Sequence, residues 1–287
     1  MPTVAELSAP YSNFMLGPRA GPDVCSVCFN LTDGYGRCYA CAHGGRWLDV
    51  VAPISYSIAG EQLHYALASY KRLSGPAGRY FALGLAAVLW RHLAAHERCL
   101  ALAAGVDSFP VVTTVPSSEP GRGQPQALER LVGELVGPVR ERFERLLCRS
   151  VAPAEAHRFS PDRYEPVADP GGRAVLLIDD TWTTGANAQS AAAALKAAGA
   201  GPVAAVVIGR HVNRGWHRND HHLRGLPEPF DWDRCTLCAG AAAAPDALPS
   251  DPTSLEPAAS LSDPVSATRL PAPAASSPMP PPAVRAR

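Results

Sequence analysis

The chain has 287 residues, with 26 basic and 26 acidic side chains, so its formal net charge is zero. That length is enough for one sizeable α/β domain with appendages, and the balanced charge supplies no overall basic field for nucleic acid. No apolar run is long enough to span a bilayer, and Met1 to Pro10 lacks the basic and apolar regions of a secretory leader, so no membrane insertion and a cytoplasmic protein are expected.

Residues 1–20 read as irregular. Cys25, Cys28, Cys38 and Cys41 then form two CxxC pairs nine residues apart, with Gly34 and Gly36 supplying turns between them. In a reducing compartment this spacing favours metal over disulfides, and four thiolates close a tetrahedral Zn2+ site with no open position. A structural zinc module over 21–46 is expected. A redox CxxC is the alternative, disfavoured by the second pair and by the lack of a surrounding βαβ pattern.

A domain over 47–215 follows. Asp49 to Tyr56 reads as a strand with Pro53 at an edge position, Glu61 to Tyr70 as a short amphipathic helix, and Ala77 to His96 as a longer apolar one. Phe109 to Val115 is a strand, followed by a polar loop to about Gln124 and a helix from Gln126 to Leu147. Val175 to Ile178 and Val203 to Ile208 are strands flanking an alanine-rich helix, Ala186 to Ala198. This alternation predicts an α/β fold with a central, mainly parallel sheet flanked by helices. Cys99 and Cys148 sit alone in helical segments and read as ordinary buried residues.

The third CxxC pair, Cys235 and Cys238, lies in an extension over 216–240 and is preceded by His217, His221 and His222. A second zinc site with mixed ligands, a contribution to the first site, and a metal-free turn all remain open. Residues 241–287 are Pro, Ala and Ser with few large apolar side chains, too little to offset ordering entropy, and a disordered tail is expected.

The most informative stretch is Val175-Leu-Leu-Ile-Asp-Asp-Thr-Trp-Thr-Thr-Gly-Ala-Asn187. A strand buried on both faces runs into a hydroxyl-rich glycine loop and then a helix, and open α/β sheets bind ligands at that end of a strand. Backbone N–H groups of Thr183, Thr184 and Gly185 can converge on an anion at the helix N-terminus, as a phosphate monoester requires. Asp179 and Asp180, acceptors only when ionised, suit the vicinal hydroxyls of a ribose. No GxxxxGK[ST] loop is present and no GxGxxG follows a strand, which argues against nucleoside triphosphatases and dinucleotide enzymes.

This segment resembles the signature with which type I phosphoribosyltransferases bind 5-phosphoribosyl 1-diphosphate (PRPP). The stretch from Cys25 to about His211 resembles the ComF family, competence-associated proteins with a four-cysteine zinc module ahead of a phosphoribosyltransferase-like domain. Tyr70-Lys71, Arg122-Gly123 with Gln126-Ala127, and Arg158 with Tyr164 are further, weaker matches.

The resemblance implies a type I phosphoribosyltransferase fold. It gives the ribose hydroxyls to Asp179 and Asp180, and the 5-phosphate to Thr181, Trp182, Thr183, Thr184, Gly185, Ala186 and Asn187. Lys71 and Arg122 are candidates for the pyrophosphate, which Mg2+ would accompany. The implied activity is pentosyl transfer, a glycosyltransferase reaction from PRPP to an unknown acceptor with release of pyrophosphate. No general base declares itself, although His64 and His157 could serve. The chain departs from the family after Val115-Pro116, where Ser117, Ser118, Glu119 and Pro120 replace the usual basic residues and weaken contacts to a diphosphate. The alternative is a binding protein without turnover, sensing PRPP or holding single-stranded DNA through Arg210 to Arg224 with Trp216. The sequence leaves the oligomeric state open.

Overall fold

The computed structural model describes residues 2–117, 126–226 and 229–238. Arg122 and the tail over 241–287 lie outside the described residues, which all belong to one unit, Met1–Pro257.

The N-terminus is not irregular. Helix α1 (Val4–Ser8) is set by a reciprocal capping box between Thr3 and Glu6, and a 3-10 turn over Ala9–Asn13 follows. Helix α2 (Tyr39–His43) belongs to the cysteine module. Strand β1 (Val50–Ile58) leads into α3 (Gln62–Arg72) and the long α4 (Gly75–Ala103). Leu63, Ala66, Leu67 and Tyr70 repeat at helical spacing and form the buried face of α3. Tyr11 anchors the N-terminal segment on α4 because Gly84 offers no side chain; a Cβ there would lie 2.5 Å from the phenol oxygen.

Strand β2 (Val111–Thr114) comes next, and the helix expected from Gln126 to Leu147 is broken. It consists of α5 (Ala127–Arg130), a π-turn over Leu131–Leu135 and α6 (Gly137–Arg140). Pro138 has no N–H to continue the helical bonding pattern, so the helix breaks at Val136, which is extended, and restarts at Gly137 with the proline in its first turn. The chain then returns along β2, where Arg142 O accepts from Val112 N–H at 2.9 Å and Glu144 N–H donates to Val112 O at 2.9 Å. Strands β3 (Leu147–Arg149) and β4 (Tyr164–Pro166) form an antiparallel hairpin. Cys148 is therefore in a strand rather than a helix.

Strand β5 (Val175–Trp182), α7 (Ala186–Ala197), β6 (Val203–Val212) and α8 (Asn219–Arg224) complete the fold. The main sheet has the order β1-β6-β5-β2 and every pairing is parallel. Alternation assigns its residues to two cores. Ala52, Ile54, Val112, Leu176, Ile178, Ala204 and Val206 face α3 and α4, whereas Val51, Val111, Val175, Leu177, Val203 and Ala205 face α7 and the four cysteines. Val175 to Ile178 are each 0% exposed, so this run contributes about 1.5–3 kcal/mol per side chain. The alanines of α7 let it lie close on that sheet face. As expected, β1 is an edge strand, and residue 16 partly covers that edge through a 2.8 Å bond from Tyr56 N–H to Leu16 O.

Candidate functional site

The central strand β5 continues four residues past the expected end at Ile178, because Thr181 and Trp182 pair with Gly209 and Arg210 of β6. Asp179 and Asp180 are thus strand residues, buried at the carboxyl end of the sheet. Asp180 N–H donates to Asp179 Oδ1 at 2.9 Å. The Asp180 carboxylate accepts from the Tyr70 hydroxyl and pairs with Lys71 Nζ, both from the end of α3. Burial raises Asp179 to about 7, the neighbouring Asp180 charge adds to the rise, and Lys71 opposes it. Tyr70 is likewise pushed well above its ordinary value, first by burial and then by Asp180, and remains a donor.

Thr183, Thr184 and Gly185 connect these acids to α7. Gly185 has φ +83° and is the N-cap of the helix, and a Cβ on it would sit 2.2 Å from the Trp182 ring. Both the left-handed backbone and the packed indole demand glycine here. Thr184 Oγ1 accepts from Ala186 N–H at 3.3 Å and donates to His157 O at 3.0 Å, which ties the loop to a neighbouring segment. A concavity of about 20 Å³ opens beside Asp179, Thr181, Thr183, Thr184, Gly185 and Asn187, with His157 on its rim. Helix geometry leaves the first N–H groups of α7 without intrahelical partners, so this hollow combines donors, hydroxyls and a favourable dipole for an anion. Gly185→Ala is expected to destabilise the fold by about 2–4 kcal/mol, combining the left-handed cost with overpacking against Trp182. Urea denaturation checks this; an unchanged midpoint would count against the packing account.

The other predicted residues divide. Trp182 is not turned to the concavity: it is 2% exposed, packs under Gly185, and its carbonyl accepts from Arg210 Nη1 at 3.0 Å. Ala186 borders the concavity as the first residue of α7. Lys71 is beside Asp180, and Arg122 lies outside the described residues. His64 lies against His211, with ring centroids 5.4 Å apart and the planes tilted by 42°. Tyr164 donates to Pro116 O at 3.2 Å, whereas Arg158 makes an exposed pair with Glu155. In the basic stretch Arg210 is buried, Arg214 pairs with Glu61 and Asp220, and Arg224 pairs with Asp220, while Trp216 is exposed. The contact of Tyr70 with Asp180 had no signal in the sequence beyond its neighbouring Lys71.

The four N-terminal cysteines converge. Their sulfurs lie within 4.8 Å of one another, and Cys28 and Cys38 Sγ are 3.7 Å apart. Zinc–thiolate bonds of about 2.3 Å place tetrahedral sulfurs about 3.8 Å apart, so the set fits zinc. Cys25 and Cys28 flank a tight turn in which Phe29 N–H donates to Cys25 O at 3.0 Å, while Cys38 is the N-cap of α2 and Cys41 lies in its first turn. Four thiolates this close repel one another, which opposes ionising all of them together. A cation between them removes that conflict by holding all four as thiolates. Tyr56 anchors the module to β1 by donating to Phe29 O at 2.8 Å.

The third CxxC pair belongs with different partners from those the sequence suggests. Cys235 and Cys238 meet His96 and Cys99 of α4, and all four ligand atoms lie within 4.8 Å. Cys99 is therefore not an isolated core residue. His217 and His222 instead lie 3.8 and 3.7 Å from Asp33, and neither they nor His221 are in the cluster. The spacing of His96 and Cys99, three apart on one helix face, was the available signal.

No helix among the described residues is long and apolar enough to cross a membrane. No protein-family model and no curated protein matches the chain. The residues themselves establish an α/β protein with a parallel four-stranded sheet flanked by helices, a buried N-terminal four-cysteine cluster and a second cysteine-rich cluster, both able to hold zinc.

Proposed function

We propose that the chain is a phosphoribosyltransferase-like protein that binds PRPP with Mg2+ at the carboxyl end of β5. One observation carries this reading: two buried acids on the central strand run directly into a loop whose left-handed glycine opens a twelve-residue helix beside a polar concavity. The 5-phosphate takes the concavity, held by Thr181, Thr183, Thr184, Asn187 and the first N–H groups of α7. The ribose hydroxyls reach the acids, with Lys71 moving from Asp180 toward the pyrophosphate. Mg2+ supplies charge that offsets the diphosphate, and the nearby acids are hard oxygen ligands of the type it accepts.

In transfer, a nucleophile on the acceptor bonds to the anomeric carbon while the bond from that carbon to the pyrophosphate oxygen breaks, its electron pair leaving with pyrophosphate. Positive charge grows on the ribose, and the acid pair stabilises it. An acceptor enters from the cleft between α2 and the loop, bordered by Tyr39, Arg46, Phe159 and Gln189. The paired state of Arg214 and Arg224 weakens the competing single-stranded-DNA reading, because acids already offset those cations.

Calorimetric titration of the full chain with PRPP, with and without Mg2+, tests the proposal, with ribose 5-phosphate as the control. Magnesium-dependent binding of PRPP, tighter than of ribose 5-phosphate, is expected. No heat with either ligand would overturn it.

A further inference from the structure

We infer that His96, Cys99, Cys235 and Cys238 form a second, structural Zn2+ site, which clamps the end of the described chain onto α4. The site is distinct from the N-terminal cysteine cluster. The four cysteines pack with the core on the α7 side of the sheet, whereas α4 packs on the other side.

The local geometry is that of a zinc centre in three respects. His96 and Cys99 are three residues apart on one helix, so a rigid scaffold presents both donors in the same direction. His96 Nε2 lies 2.9 Å from the Trp232 carbonyl, which can only accept, so Nε2 carries the proton and Nδ1 is left with a free lone pair. That Nδ1 lies 3.8 Å from Cys238 Sγ, the separation expected of two ligands on one metal rather than of a strong hydrogen bond. A backbone carbonyl that fixes the tautomer of a ligating imidazole is the usual outer-shell arrangement. On the other half of the site, Cys235 N–H donates to Cys238 Sγ at 3.1 Å and Cys238 N–H donates to Cys235 Sγ at 3.3 Å. Such bonds offset part of the negative charge that thiolates bring to a closed site.

A Cys235–Cys238 disulfide is the competing chemistry for a 3.3 Å sulfur pair. It leaves unexplained why a third sulfur and an imidazole with its lone pair directed inward complete a four-donor set. Zinc uses all four. The clamp has a clear mechanical role, because residues 229–238 otherwise hold to α4 through few anchors. Among the described residues Phe230 and Trp232 join the core, Leu237 packs against it, and Arg91 lies 4.3 Å over the Trp232 ring.

The full chain, purified without chelators, is assayed for zinc by mass spectrometry and, after exchange, for cadmium by 113Cd NMR. Two equivalents of zinc per chain and two cadmium resonances are expected, one from four sulfurs and one shifted upfield by a nitrogen donor. Cys99→Ser is expected to lose one equivalent and the upfield resonance only. A single equivalent and a single all-sulfur resonance in the native chain would overturn the assignment without any variant. So would a Cys235–Cys238 disulfide found by non-reducing peptide mapping in protein holding one zinc.

Discussion

Replacing Asp179 and Asp180 together by asparagine is expected to abolish PRPP binding and leave the fold intact. At pH 8, above the Asp179 value of about 7, each ionised carboxylate that accepts from a ribose hydroxyl is worth about 1.5–3 kcal/mol, so losing both weakens affinity roughly 10²–10⁴-fold. Asparagine keeps a carbonyl oxygen able to accept from the Asp180 N–H and from the Tyr70 hydroxyl, so the buried bonds survive. Calorimetry reads the affinity and circular dichroism the fold; a folded double variant with native affinity would sink the ribose assignment.

The same residues make a stability prediction with a definite sign. Asp179 titrates near 7 in the folded chain and near 4 when unfolded, so over that window the folded state holds the extra proton. Stability therefore falls as pH rises from about 4 to 7 and stays reduced above it. Asp179→Asn lacks this penalty and is expected to melt several degrees higher than the native chain at pH 8, with little difference at pH 4. Equal melting temperatures at pH 8 would show that Asp179 is not buried at a cost. A cost of this kind is common at residues that bind ligands.

Zinc removal is the second large effect. Residues 21–46 contain a single five-residue helix, and their buried side chains are chiefly the cysteines themselves. Metal binding in so small a module is also its folding free energy, on the order of 10 kcal/mol for structural zinc. Chelation, or Cys38→Ser, is expected to strip amide protection from residues 24–45 while β5 and β6 keep theirs. Hydrogen exchange with mass spectrometry resolves the two regions. Unchanged protection across 24–45 in metal-free protein would refute a structural metal.

The parts legible in the sequence are those whose chemistry is local. Val175 to Ile178 announced a doubly buried strand because every side chain is aliphatic, and the two CxxC pairs announced a cluster because the ligands come from one short stretch. The end of β5 is not legible in the sequence because Asp179 to Trp182 look like loop residues, whereas pairing with Val207, Gly209 and Arg210 holds them extended. The helix after Gln126 failed at Val136, where apolar periodicity continues but Pro138 does not permit it. His96 and Cys99 carry the three-residue spacing of a donor pair on one helix face, but no local pattern links them to Cys235 and Cys238 so much further along the chain. Tyr70 on Asp180 is the same case.

The strand order bears on how the chain is made. Strand β1 is synthesised early, yet its only sheet partner among the described residues is β6, and β2 likewise waits for β5. Within the main sheet, among the described residues, only β5 and β6 are neighbours both in sequence and in space. A nascent chain therefore leaves the ribosome with nine apolar or small residues of Val50–Ile58 unpaired until Val203–Val212 emerges. Loops that long must close before the sheet rewards them, so assembly is late and nearly all at once. Stalled or truncated chains ending before residue 203 would display a bare strand of high β-propensity, which makes them natural clients for chaperones that hold extended apolar segments during translation.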